Sequence, residues 1–152
     1  MQQEKDEFFM NEAIKEALVS YEEGEVPVGA VVIKDGEIIG RGHNGREKSH
    51  RIHSHAEINA LEDASSKLGR WDLSDCSLYV TLEPCLMCAG AILQSRIRTV
   101  CFGAKDEKAG AIVSSFHVFD SGAPYLPPLL VYGICEEQCK DILRKFFALK
   151  RK

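Results

Sequence analysis

Apolar and polar positions alternate along the chain in two distinct rhythms. Phe8, Phe9, Ala13, Ala17 and Leu18 recur at helical spacing and predict a helix over about residues 6–23, broken by Gly24. Residues 28–33 form a short apolar run, the mark of a buried strand. Lys34-Asp35-Gly36-Glu37 carries the Asp-Gly hairpin signal, and 38–42 is the partner strand. A polar loop over 44–54 leads to a helix that opens near His55, points Ile58, Ala60, Leu61 and Ala64 inward, and ends near Gly69. Residues 78–82 read as a strand, and Glu83-Pro84 turns it into a helix running to about Ser95. A strand over 98–103 follows. The stretch 105–128 is rich in Gly, Ser and Pro and shows no period. A last strand over 129–134 and a last helix over 136–149 complete the pattern. A hairpin followed by strands alternating with helices predicts a three-layer α/β/α fold: a mixed five-stranded sheet with helices on both faces.

At 152 residues the chain fits one domain over 1–152. No apolar run approaches the roughly 20 residues needed to span a bilayer, and the opening MQQEKDEFFM is too acidic for a signal or transit peptide. Six cysteines without an export signal read as thiols and ligands rather than a disulfide framework, which implies a cytoplasmic protein. The net charge of −4 does not suggest a nucleic-acid binder, yet Arg144, Lys145, Lys150, Arg151 and Lys152 give the C-terminus five basic residues and no acid after residue 143. Such a stretch either tracks phosphates or is a solvated helix end.

The chemistry concentrates in His55-Ala56-Glu57 and Pro84-Cys85-Leu86-Met87-Cys88. Three ligands, His55, Cys85 and Cys88, would leave the fourth position of a tetrahedral zinc open, as catalytic rather than structural sites do. Cys85 and Cys88 stand three apart, so at a helix start both sulfurs can converge on one ion. Glu57 stands two residues from His55 and points elsewhere, free to move protons. A fourth protein ligand is available in principle from Cys76, Cys101, Cys135, Cys139 or His53. The first three read as small buried residues, Cys135 and Cys139 as a weak second metal pair, and His53 as a loop side chain. His43, His50 and His117 read as surface or loop histidines.

The H-x-E and P-C-x-x-C pair is the signature of zinc nucleobase deaminases, tRNA adenosine deaminases among them. The likeness extends to Val26-Pro27-Val28-Gly29-Ala30, Gly40-Arg41-Gly42-His43-Asn44, Leu78-Tyr79-Val80-Thr81-Leu82-Glu83, Cys88-Ala89-Gly90-Ala91 and Phe102-Gly103-Ala104-Lys105-Asp106 with Gly110. Over about residues 6–149 the chain resembles the cytidine-deaminase-like superfamily and, within it, the bacterial tRNA adenosine deaminases. That resemblance implies one Zn2+ per chain on His55, Cys85 and Cys88, Glu57 as proton shuttle, and a homodimer. It also implies a tRNA anticodon stem-loop as substrate, with adenosine at the wobble position converted to inosine. Asn44 matches a position that hydrogen-bonds the target nucleoside, and Val28 and Leu82 would line its pocket or simply fill core. Two segments depart from the pattern. Many relatives carry Asp-Pro-Thr-Ala where this chain has Arg51-Ile52-His53-Ser54, and Asn-His-Arg where it has Tyr125-Leu126-Pro127-Pro128. The same zinc chemistry would serve a deaminase of a free base or nucleoside such as guanine, cytosine or cytidine. A zinc-stabilised binding module without catalysis is the third reading, opposed by the three-ligand count and by Glu57.

Overall fold

The computed structural model describes residues 1–120 and 124–150. Its elements are α1 (Gln2–Glu22), β1 (Gly29–Lys34), β2 (Glu37–His43), α2 (Arg46–Ser49), α3 (Ala56–Leu68), β3 (Ser77–Leu82), α4 (Leu86–Ser95), β4 (Thr99–Ala104), β5 (Leu129–Tyr132) and α5 (Glu136–Lys150). A 3-10 turn at Val118–Asp120 lies in the stretch that showed no period. The strands form one sheet in the order β2-β1-β3-β4-β5. β1 pairs antiparallel with β2 and β3, while β3–β4 and β4–β5 are parallel. The expected mixed five-stranded sheet, with helices on both faces, is the observed one.

Alternation along β1 assigns the two faces. Ala30 and Val32 point into one core with Leu78, Val80, Val100 and Phe102, covered by Ala56, Ala60 and Ala64 of α3 and Ala89 and Ile92 of α4. Val31 and Ile33 point into the other with Tyr79 and Cys101, covered by Phe9, Met10 and Ala13 of α1 and Cys139 of α5. The period-2 geometry of a strand makes this division unavoidable. The hairpin between β1 and β2 turns at Asp35 and Gly36, with φ of 51° and 77°, the double left-handed conformation that Asp-Gly favours.

Three sequence expectations change, and one falls partly outside the described residues. The first helix starts at Gln2 and buries Phe9, Met10, Ala13 and Ala17 but leaves Phe8 and Leu18 exposed. The helical period holds, but the stripe it buries is narrower than the full set of apolar positions. The loop over 44–54 contains the one-turn helix α2, too short to show a period. Ile58 does not point inward. It is half-buried and, with Leu61, Trp71, Leu86, Met87 and Ala91, lines an open groove on the outer side of α3 and α4. Of the basic C-terminus, Arg144 pairs with Asp141 within α5 and Lys150 lies over the Phe146 ring. Arg151 and Lys152 lie outside the described residues.

Candidate active site

Both chemical motifs open helices. His55 is the N-cap of α3 and Cys85 the N-cap of α4, each with extended backbone. An N-cap residue turns its side chain back across the helix start, so two neighbouring N-caps can meet. Where α3 starts is set by how closely it lies on β2. A Cβ added at Gly42 would fall 2.4 Å from both Ala56 O and Ala60 N, and one at Gly40 2.5 Å from Ala60 O. Only glycine lets the helix backbone come this near. Asn59 completes the seating by donating to His43 O at 2.9 Å and to the Ser54 hydroxyl at 3.2 Å.

The result brings His55, Cys85 and Cys88 together, all within 4.8 Å of one another at their ligand atoms. His55 Nδ1 is 3.6 Å from Cys85 Sγ and 3.5 Å from Cys88 Sγ. A tetrahedral zinc with Zn–S about 2.3 Å and Zn–N about 2.0–2.1 Å separates a sulfur from a nitrogen ligand by about 3.6 Å. The donor set therefore fits zinc in type, number and spacing. Its electrostatics agree. The Cys85 thiol is pulled down to about 3, first by the hydrogen bond it receives from Cys88 and then by His55. The bond to Cys85, with burial, pushes the Cys88 thiol up. His55 is raised by its bond to Cys85. The two thiols are driven in opposite directions by their mutual hydrogen bond, and a divalent cation bound to both would favour the deprotonated form of each.

A cavity of about 250 Å³ opens in front of this cluster, at the C-terminal end of β3, where ligands bind in α/β sheets. Val28, Asn44, His55, Glu57, Leu82 and Cys85 all line it. Glu57 is 4% exposed. Burial, the largest influence, pushes its carboxyl up to about 7, against the opposing pull of its own backbone N–H. Asn44 donates Nδ2 to Val26 O at 3.1 Å, leaving Oδ1 as a buried side-chain acceptor with no partner among the described residues. Val28 is both cavity wall and core, as its apolar strand position allowed, and Leu82 packs against the core from the same wall.

Two wall residues escaped the sequence reading. Glu83, read only as part of a turn, is 2% exposed. Its carboxylate accepts from the N–H groups of Asp106, Ile112, Val113 and Ser114 at 2.8–3.1 Å and from the Ser114 hydroxyl. Burial alone would raise this carboxyl, but the Ser114 hydroxyl and these N–H groups hold it below the usual range. A Cβ at Gly110 would lie 2.3 Å from the Glu83 carboxylate carbon, which explains that glycine. Glu25, also 2% exposed, accepts from the N–H groups of Glu47 and Lys48. The only sequence signal for either was an acid beside apolar residues, in Leu82-Glu83-Pro84 and Glu25-Val26-Pro27.

The remaining cysteines and histidines stay apart from the cluster. Cys76, Cys101 and Cys139 are buried and Cys135 is half-buried. Burial raises each of these thiols. Among the described residues, His55, Cys85 and Cys88 are the one group of three or more ligands placed to share an ion, and Cys135 and Cys139 belong to no such group. His53 meets Arg51 in the loop, and His43 sits between Glu16 and Glu23.

Residues 3–104 match the family described as the cytidine and deoxycytidylate deaminase zinc-binding region. The chain is 45% identical to the tRNA-specific adenosine deaminase of Bacillus subtilis (strain 168), over 97% of this chain and 92% of that one. It superposes with a TM-score of 0.87, at 40% identity, on a structure from studies of A-to-I editing by tRNA:A34 deaminases at the wobble position of transfer RNA. That match covers 90% of this chain and 99% of the other. The guanine deaminase of Nitrosomonas europaea shares the fold at a TM-score of 0.79 and 26% identity, covering 93% and 84%.

Proposed function

The chain belongs to the cytidine and deoxycytidylate deaminase zinc-binding family and, within it, to the tRNA-specific adenosine deaminases, and from that premise we propose that it converts adenosine 34 of a tRNA anticodon to inosine. The observation that carries this reading is a single cavity whose wall brings together His55 and Cys85 of a three-ligand set at tetrahedral zinc spacing, the buried Glu57 carboxyl pushed up to about 7, and the unpartnered acceptor of Asn44.

His55, Cys85 and Cys88 would hold one zinc, which when bound supplies a Lewis acid able to bring a water's pKa to about 7. Glu57 accepts a proton from the attacking water and passes it to the purine ring nitrogen beside the reacting carbon. Glu57 then takes the second proton from the hydroxyl added to that carbon and delivers it to the departing amine as the C–N bond breaks and the C=O forms, so one water is consumed and ammonia leaves. A carboxyl near pH 7 can take and give a proton at each step. Asn44, its amide fixed by Val26, accepts a hydrogen bond from the nucleoside. Val28 and Leu82 flank the base with apolar surface and keep bulk water from it. A base in an anticodon loop is already unstacked from a duplex and can enter at small cost.

The exposed apolar groove at Ile58, Trp71, Leu86 and Met87 supports a homodimer, in which a second copy would cover it. Among the described residues no helix is long and apolar enough to cross a membrane, and a tRNA substrate supports a cytoplasmic location.

The test offers the protein an anticodon stem-loop with adenosine at the wobble position and, separately, free guanine, cytosine, adenosine and cytidine. Inosine in the stem-loop with ammonia release is expected. Ammonia from a free base, with the RNA unchanged, would favour the small-molecule reading that the guanine deaminase likeness and the net charge of −4 keep in view.

A further inference from the structure

We infer that the segment 46–53 is the wall of the pocket that meets the RNA backbone, through Arg46 and Arg51, and that buried Glu25 is the positioning residue that holds it there; this rests on the RNA-editing reading. The segment is closed at its base, where Gly45 N–H donates to Ser54 O at 3.0 Å. Its first turn hangs on Glu25, whose two carboxylate oxygens accept from Glu47 N at 3.0 Å and Lys48 N at 2.7 Å. A buried carboxylate that uses both oxygens on backbone donors fixes a loop more firmly than a surface ion pair does, because charge-assisted bonds are shorter and stronger. Arg46 Nε then donates across the segment to Ile52 O at 3.1 Å.

What this scaffold presents is cationic. Arg46, Lys48 and Arg51 stand against one acid of the segment, Glu47, and Lys48 is paired with Glu23. All four charged residues of the segment are exposed, and Arg46 and Glu47 line the catalytic cavity itself. Arg41, Arg70, Arg96 and Arg144 each pair with a carboxylate. Arg46 and Arg51 pair with none among the described residues; their bonds go to Ile52 O and the His53 ring. Arg98, the remaining arginine among the described residues without a carboxylate partner, lies just before β4 and does not line this cavity. In a chain of net charge −4, Arg46 in the cavity lining and Arg51, five residues on in the same tied-down segment, are the guanidinium groups of that segment left without acidic partners, and guanidinium takes phosphate in a bidentate fork. A nucleotide whose base occupies the cavity carries its flanking phosphates to the cavity's mouth.

The experiment measures binding and turnover of a wobble-adenosine stem-loop against salt for wild type, Arg46→Ala/Arg51→Ala, Glu25→Gln and the control Arg70→Ala. The double variant should bind at least 10-fold more weakly at low salt, mainly through KM, and its log–log salt slope should fall by about 1.4, at about 0.7 per phosphate of single-stranded RNA. Glu25→Gln turns one accepting oxygen into a donor facing a backbone N–H. It should raise KM in the same direction, with zinc content and most of kcat retained. Arg70→Ala should match wild type. A wild type that makes no inosine from the stem-loop overturns the functional reading. An active wild type whose salt slope and KM are unchanged in the double variant overturns this inference alone, and does so whether or not Glu25→Gln folds.

Discussion

Glu57 and Glu83 are the same residue type, buried to 4% and 2% exposure in the wall of one cavity, and the fold drives them in opposite directions. Glu83 receives four backbone N–H groups and a hydroxyl, which outweigh the cost of burial and keep it ionised. Glu57 has no such cradle, and burial lifts its carboxyl to about 7. Burial therefore does not decide protonation; the count of donors aimed at the carboxylate does. The first carboxylate is a clamp that ties the 106–114 loop to the turn bearing Cys85. The second is the carboxyl proposed to carry protons. One pocket needs both, because a mobile proton is useful only against fixed surroundings.

The largest effect should come from removing the ion that gives Glu57 its task. Cys88→Ser should lose zinc and essentially all turnover, and lose stability as well, since metal binding is coupled to folding. Full zinc by elemental analysis would refute the ligand assignment. Next, Glu57→Gln should keep zinc and the melting temperature but lower kcat by about 10²–10⁴-fold or more, the range of general acid–base catalysis. Near-normal turnover would end the shuttle role.

Glu83→Gln should reverse that profile. It should keep zinc but lose on the order of 2 kcal/mol of stability, because buried N–H groups lose a charged acceptor. Thermal or urea unfolding measures this, and a Glu83→Gln protein as stable as wild type would show that the clamp contributes nothing.

The smallest and most discriminating effect is in pH. In metal-free protein, the Glu57 carboxyl is raised from 4.5 to about 7. The folded state thus holds a proton that the unfolded chain has released, and this carboxyl's contribution, full below pH 4.5, should be lost as pH climbs to about 7. The Glu83 carboxyl is lowered, so its contribution is full above pH 4.5 and should be lost as pH falls through its folded value. Chelated samples of Glu57→Gln and Glu83→Gln, unfolded in urea across pH 3–8, should each flatten one limb and leave the other. If both variants flatten the same limb, the two carboxylates are not opposites.

The sequence by itself determined the elements with strong periods, the mixed sheet, and the set His55, Glu57, Cys85 and Cys88. Those features are local. Three-residue spacing at a helix start, a two-residue offset between ligand and acid, and a period of two or 3.6 are all written in neighbouring positions. Only the tertiary structure decided that Phe8, Leu18 and Ile58 face outward, since a period gives the direction of a stripe but not its width or what covers it. The same holds for Asn44, left with a free acceptor by its bond to Val26 O, and for Glu25 and Glu83, which act across 22–31 residues of chain. A buried acid is recognisable as clamp or proton carrier only from the donors brought to it. Those donors come from backbone, which every residue carries alike and whose direction is settled only when the chain has folded around it.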